Sequence, residues 1–389
     1  MRRRGLWRRR PRAAAAFGAL LLVASAGAVG WVIAGRGASS PLAPAATPRP
    51  TQAAFHAPPA PQDLQEALEK LAARYREPVG IAVTDVSQRW TAQVAGEEVF
   101  PQQSVSKLWV ALSALSAIDR GALSLQQKVV LTSDDRSVFY QPLAARIRAS
   151  RPYETTVDDL LRRALTESDN AANDKLIREL GGGQAVTRTL AEKGLDGLGV
   201  GETERDMQTR AAGLTWKPDY GVTWIWKSAR EQLPDSVRDR ALAEYLAHPP
   251  DGARPAAITR TLAALKRGEL LSPASTQLML ELMAECRTGS SRLRAGLPRG
   301  WSIAHKTGTG PDWKGASIGI NDVGLVTGPD GKTFAVAVMM RETRKPVPER
   351  LRLMQAVSRT LAAWWTSEGH AEEARQQIAS IGTPPDAAR

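Results

Sequence analysis

Strand-like runs in this chain occur only near the two ends of its body, with helical sequence between them. "VGIAVTDVS" (79–87) and "RWTAQVAG" (89–96) are short, rich in β-branched residues and read as a hairpin. Strand pattern returns only with "WSIAHKTG" (301–308), "SIGINDVGLVTG" (317–328) and "KTFAVAVMMR" (332–341). Between them, "SKLWVALSALSAIDRG", "TVDDLLRRALTESDNAANDKLIREL" and "GGQAVTRTLAEKG" read as helices. "LQEALEKLAARYRE" (64–77) and "PERLRLMQAVSRTLAAWWTS" (348–367) add a helix at either end. This order implies an α+β fold, an antiparallel sheet flanked by the N- and C-terminal helices, with an all-helical subdomain inserted at about 101–260. Two such parts leave a cleft between them, a common place for a site.

Charge and composition narrow the function. The 389 residues are 43% hydrophobic, ample for a packed core, and carry a net charge of +12. Residues 1–62 hold nine arginines and no acid, so residues 63–389 carry only +3, and nucleic-acid binding loses its main support. The basic leader (1–12) precedes an uncharged run, Ala13–Gly35, close to the length that crosses a bilayer. Arginines ahead of such a run predict a cytoplasmic start and an exported body, with 13–35 as an anchor or a cleaved signal. The Pro/Ala-rich stretch 36–62 reads as a linker, residues 63–366 as the folded body, and 367–389 as a flexible tail. One cysteine, Cys286, excludes an intramolecular disulfide and a cysteine-based zinc site. The four histidines are far apart, so no metal centre or other cofactor is expected.

Three short motifs carry the chemistry. "QQSVSKLW" places Ser104 and Lys107 three residues apart, on one face of an apolar helix. A serine needs an adjacent base to become a nucleophile, and a partly desolvated lysine can serve; alternatively the lysine snorkels from a core helix. "TESDNAAND" sets Ser168, Asp169 and Asn170 between two helices, residue types that also suit a plain N-cap. "AHKTGTG" puts Lys306, Thr307, Gly308 and Thr309 on a late strand, which is also how an edge strand ending in a turn reads.

In this order the set Ser-x-x-Lys, Ser-Asp-Asn, Lys-Thr-Gly resembles the class A β-lactamases within the penicillin-recognising serine hydrolases, over most of residues 63–366. "INDVGLVT" and the loop "GLGVGETERDMQTR" are similar to the extended-spectrum subgroup. The resemblance implies that Ser104 is acylated, that Lys107 accepts or relays its proton, and that Ser168, helped by Lys306, protonates the leaving nitrogen. It implies that Asn170 binds the substrate's amide side chain and that Lys306, Thr307, Gly308 and Thr309 form the carboxylate site. The backbone N–H groups of Ser104 and Thr309 would form an oxyanion hole. The resemblance puts Glu204 at the position of the base that activates the deacylating water, with Gln208 as second water ligand and Glu202 as the substitute candidate.

The family's usual "R-x-E-P-E-L-N" is absent, and residues 213–254 exceed the family pattern by roughly 40 residues. That stretch carries Trp216, Trp224 and Trp226 and reads as a helical elaboration packing its tryptophans inward, or else as a lid or docking surface. The expected partners are a small β-lactam, peptidoglycan as a further candidate, and the membrane through 13–35, with the chain monomeric and extracytoplasmic. Two other readings share the motifs: a D-Ala-D-Ala peptidase or related cell-wall amidase inhibited by β-lactams, and a sensor that binds them without turnover.

Overall fold

A computed structural model describes residues 57–147 and 151–367. The leader, the apolar run 13–35, most of the linker and the tail beyond 367 lie outside the described residues. Among the described residues no helix is long and apolar enough to cross a membrane.

The strands from both ends join in one antiparallel sheet. β1 (Val79–Asp85) and β2 (Thr91–Val94) form the early hairpin, and β3 (Ser302–Gly308), β4 (Ala316–Thr327) and β5 (Thr333–Thr343) come from the far end. Their order is β2-β1-β5-β4-β3, with a short strand, Asp312–Trp313, paired to β4. β5 is central, pairing with β1 from Val79↔Met340 to Asp85↔Phe334 and with β4 through Phe334↔Val326. A strand covered on both faces needs no polar alternation, and the pattern of β5 is almost wholly buried.

The helices that frame the sheet and the site are α1 (Gln62–Tyr75), α2 (Lys107–Asp119), α3 (Asn170–Glu179), α4 (Glu204–Ala211), α5 (Thr223–Glu231), α6 (Asp235–Ala247), α7 (Pro255–Lys266), α8 (Pro273–Ala284) and α9 (Val347–Thr366). The pleat of β5 sends Phe334, Val336, Val338 and Met340 into one core with Leu64, Leu68, Val357 and Leu361 of the terminal helices. Ala335, Ala337 and Met339 face the other core, which is shared with α2 and α7. α7 lies against β1 and β5, and α8 against β3 and α2, so helices on this side run on past the expected boundary at 260.

The stretch 213–254 holds α5 and α6, and its tryptophans divide rather than all turning inward. Trp226 is buried with Val138, Ala212 and Tyr220, Trp216 lies half-buried beneath the Arg205 guanidinium, and Trp224 is 71% exposed. On a nine-residue helix only one face can pack, and Trp224 and Trp226, two positions apart, cannot share it.

Candidate active site

Ser104 sits in a 3₁₀ turn, Gln103–Ser106, that runs directly into α2. The turn opens on Gln103 at φ +53°, an uncommon conformation for a residue with a side chain. From Lys107 to Ala117 every residue of α2 is buried, as befits a helix that is apolar all round. Lys107 Nζ donates to Ser104 Oγ at 2.7 Å and to Asn170 Oδ1 at 2.6 Å. Burial lowers the Lys107 pKa below the ordinary lysine value, with the carboxylates of Glu204, Asp174 and Asp169 acting against it.

Ser168 ends a π-helical turn, Arg163–Glu167, in the left-handed region at φ +63°. Such turns are frequent at functional positions. Asp169, not its neighbours, caps α3: its carboxylate accepts from Ala172 N at 3.0 Å and Leu143 N at 2.6 Å. That arrangement leaves Ser168 and Asn170 facing the cleft, with Asn170 Nδ2 anchored on Val138 O at 2.8 Å.

Lys306, on β3, donates to Ser168 Oγ at 2.9 Å and to Thr307 O at 3.0 Å. Burial, reinforced by the Lys107 charge, lowers its pKa to about 7. Thr307 Oγ1 pairs with Thr288 Oγ1 at 2.6 Å. Thr309 Oγ1 accepts from Arg292 Nη2 at 2.6 Å, while Arg292 Nη1 donates to Gly308 O at 2.9 Å and Asn321 O at 2.6 Å. Gly308 is set by close approach, since a Cβ there would lie 2.2 Å from Gln102 O, just ahead of the turn that carries Ser104.

Glu204 opens α4 behind the N-cap Thr203. Its backbone N donates to Asp174 Oδ1 at 2.6 Å, and Gln208 Nε2 donates to Glu204 Oε1 at 3.0 Å. Burial raises the Asp174 pKa to about 6, and the Glu204 charge adds to that rise. Glu202 turns away to pair with Arg210 and does not line the cleft.

These elements meet at a cleft of about 360 Å³, lined by Ser104, Ser168, Asn170, Glu204, Gln208, Thr307 and Thr309. Phe139, Tyr140, Glu167, Thr288, Arg292 and Pro311 complete much of its wall. Lys107 and Lys306 are fully buried and reach the two serines from behind. Gly308 is not part of the lining. Sequence reasoning passes over Arg292, Thr288, Gln103 and Asp174. Asp174 alone has a local signal, one helical turn beyond Asn170 in "SDNAAND". Among the described residues no group of acids, histidines and cysteine could hold a metal ion.

An α+β sandwich with a Ser–Lys pair at the cleft defines the class, a serine hydrolase. A model described as the β-lactamase enzyme family matches residues 63–365, and the chain belongs to that family, on its class A side. β-Lactamase VEB-1 of Pseudomonas aeruginosa is 28% identical over 269 residues, which is 69% of this chain and 78% of that protein. Extended-spectrum β-lactamase PER-1 of the same organism is 26% identical over 301 residues, covering 76% of this chain and 85% of its own. The crystal structure of TLA-3 extended-spectrum β-lactamase matches with a TM-score of 0.65 at 23% identity, covering 79% of this chain and 99% of that one. An ancestral (GNCA) class A β-lactamase matches with a TM-score of 0.59 at 28% identity, covering 77% and 99%.

Proposed function

We propose that this enzyme opens β-lactam rings through an acyl-enzyme on Ser104 that is released by water activated by Glu204. The observation that carries the reading is the 2.7 Å approach of Lys107 Nζ to Ser104 Oγ, at a cleft that Glu204 and Gln208 also line. Neutral Lys107 takes the Ser104 proton as Oγ attacks the lactam carbonyl, and the oxyanion is met by the backbone N–H groups of Ser104 and Thr309. When the C–N bond breaks, the nitrogen takes the Ser168 hydroxyl proton. Ser168 is restored from Lys107, whose Nζ lies 3.5 Å from its Oγ, with Lys306 at 2.9 Å stabilising the charge in transit. In the second half Glu204 takes a proton from water, hydroxide attacks the ester, and Ser104 Oγ leaves with that proton returned.

Asn170 Nδ2 and the Lys306, Thr307 and Thr309 group bind the substrate's amide and carboxylate. Arg292, bonded to Thr309, adds a second cation on that side. The arginine-rich start and the apolar run 13–35 support export, with the catalytic body beyond the linker. The test is turnover of a chromogenic cephalosporin. Sustained hydrolysis that disappears in Ser104→Ala supports the reading. Persistence in Ser104→Ala refutes the nucleophile, and an unmodified enzyme that cleaves D-Ala-D-Ala peptides while β-lactam adducts persist moves it to the peptidase reading.

A further inference from the structure

The amides beside Glu204 belong to a longer run of hydrogen bonds that ends in the insertion. Asp251 is 3% exposed, and its carboxylate accepts from Gln103 N at 2.6 Å and from the Tyr245 hydroxyl, on α6, at 2.9 Å. The Tyr245 oxygen in turn accepts from Gln103 Nε2 at 2.6 Å. Gln103 Oε1 therefore faces the other way and accepts from Gln208 Nε2 at 2.6 Å, the same amide that donates to Glu204 Oε1 at 3.0 Å.

The direction of this run follows from its ends. Ionised Asp251 can only accept, so the Tyr245 proton is committed to Asp251 and its oxygen to the Gln103 amide N–H. Burial raises the Asp251 pKa to about 7, so this direction is fixed above that pH. Reversing any link would set two donors or two acceptors against each other in a buried place, a costly arrangement. Gln103 has no room to escape. A Cβ on Gly319 would lie 2.6 Å from its Cγ, and one on Gly310 2.9 Å from its Cδ. Its backbone is already in the left-handed region, a strain that persists only where the surroundings impose it.

We infer that Tyr245, carried by the inserted helix α6, is a positioning residue for deacylation: with Asp251 it fixes which way the Gln103 and Gln208 amides point, so that an N–H meets Glu204 Oε1. The inference rests on Glu204 being the base. The Tyr245 side chain thereby serves the second half of the reaction, while the insertion meets the backbone of the turn that carries Ser104 through Asp251, at Gln103 N and the neighbouring Gln102.

The test is Tyr245→Phe in the full chain with a chromogenic cephalosporin, compared with Glu204→Gln and with the double variant. Loss of the hydroxyl slows deacylation alone, so kcat and KM fall together about tenfold, kcat/KM stays within about twofold, and the acyl-enzyme dominates by intact mass. In the Glu204→Gln background the same change has no further effect on adduct lifetime. A kcat/KM that falls as far as kcat, or unchanged kinetics, overturns the inference. Asp251→Asn, which turns an N–H toward Tyr245, gives the same split and decides the question should Tyr245→Phe fail to fold. If Glu204→Gln traps its adduct while Tyr245→Phe turns over normally, the positioning role alone fails. If Glu204→Gln deacylates at the parental rate, the base assignment falls and the inference with it.

Discussion

Lys306 and Lys107 converge on one hydroxyl, their Nζ atoms lying 2.9 and 3.5 Å from Ser168 Oγ. Two buried ammonium groups this close oppose each other's charge, and Lys306 is lowered to about 7 by burial and then by Lys107. In the proposed mechanism the substrate carboxylate binds protonated Lys306. The value of kcat/KM, which reports the free enzyme, therefore falls as pH rises above about 7, by up to roughly tenfold per unit. Lys306→Arg keeps a charge at all these pH values and flattens that limb at a lower rate. A parental profile that stays level to about pH 9 contradicts the assignment.

Asp174 links pH to stability in the opposite sense from a surface acid. Its pKa rises from 3.8 to about 6 on folding, mainly through burial. Between those values the folded chain binds more protons than the unfolded one, so this contribution is fully present below about 4 and is lost as pH rises through about 6. Urea unfolding from pH 4 to 7 should show a shallower decline for Asp174→Asn than for the parent. A steeper decline in the variant would reverse the sign argued here.

The two tryptophans of α5 should respond very differently to truncation. Trp226 is 3% exposed and meets Phe139 edge-on at 4.7 Å, whereas Trp224 is 71% exposed. Trp226→Ala is expected to cost about 3–5 kcal/mol and Trp224→Ala about 0.5 kcal/mol or less. Chemical denaturation of both variants checks this, and equal losses would mean that α5 is packed the other way round.

Arg292 is expected to act on substrate binding more than on chemistry. It touches Thr309 Oγ1 and the backbone of Gly308, not the serines. Arg292→Ala should raise KM for a carboxylate-bearing β-lactam about tenfold and change kcat by less than about threefold. Steady-state kinetics decide it, and a kcat loss with KM unchanged argues against the role.

What the sequence reveals of this site depends on how locally each part is encoded. Ser104 with Lys107, Ser168 with Asn170, and Lys306 with Thr309 are each written within four residues, so their chemistry is visible before any fold is known. The sheet is similarly legible, because β-branched runs at both ends of the body leave few ways to pair them. Glu204 is reached only through family spacing, since three acids in a charged loop look alike; the fold separates them by turning Glu202 to Arg210 and Asp206 to Thr203. Gln103, Tyr245 and Asp251 meet across separations of 142 and 148 residues, and no local pattern marks them. The tryptophans of 213–254 are conspicuous in the sequence, but which of them turn inward is set by helix phase and by the Phe139 surface that receives Trp226.

The most direct test of the account is the fate of the acyl group on Ser104 when Glu204 becomes Gln. Full-length Glu204→Gln mixed with a cephalosporin and followed by intact mass should gain one adduct on Ser104 that outlives many parental turnovers. Release of that adduct as fast as in the parent would show that another group activates the water.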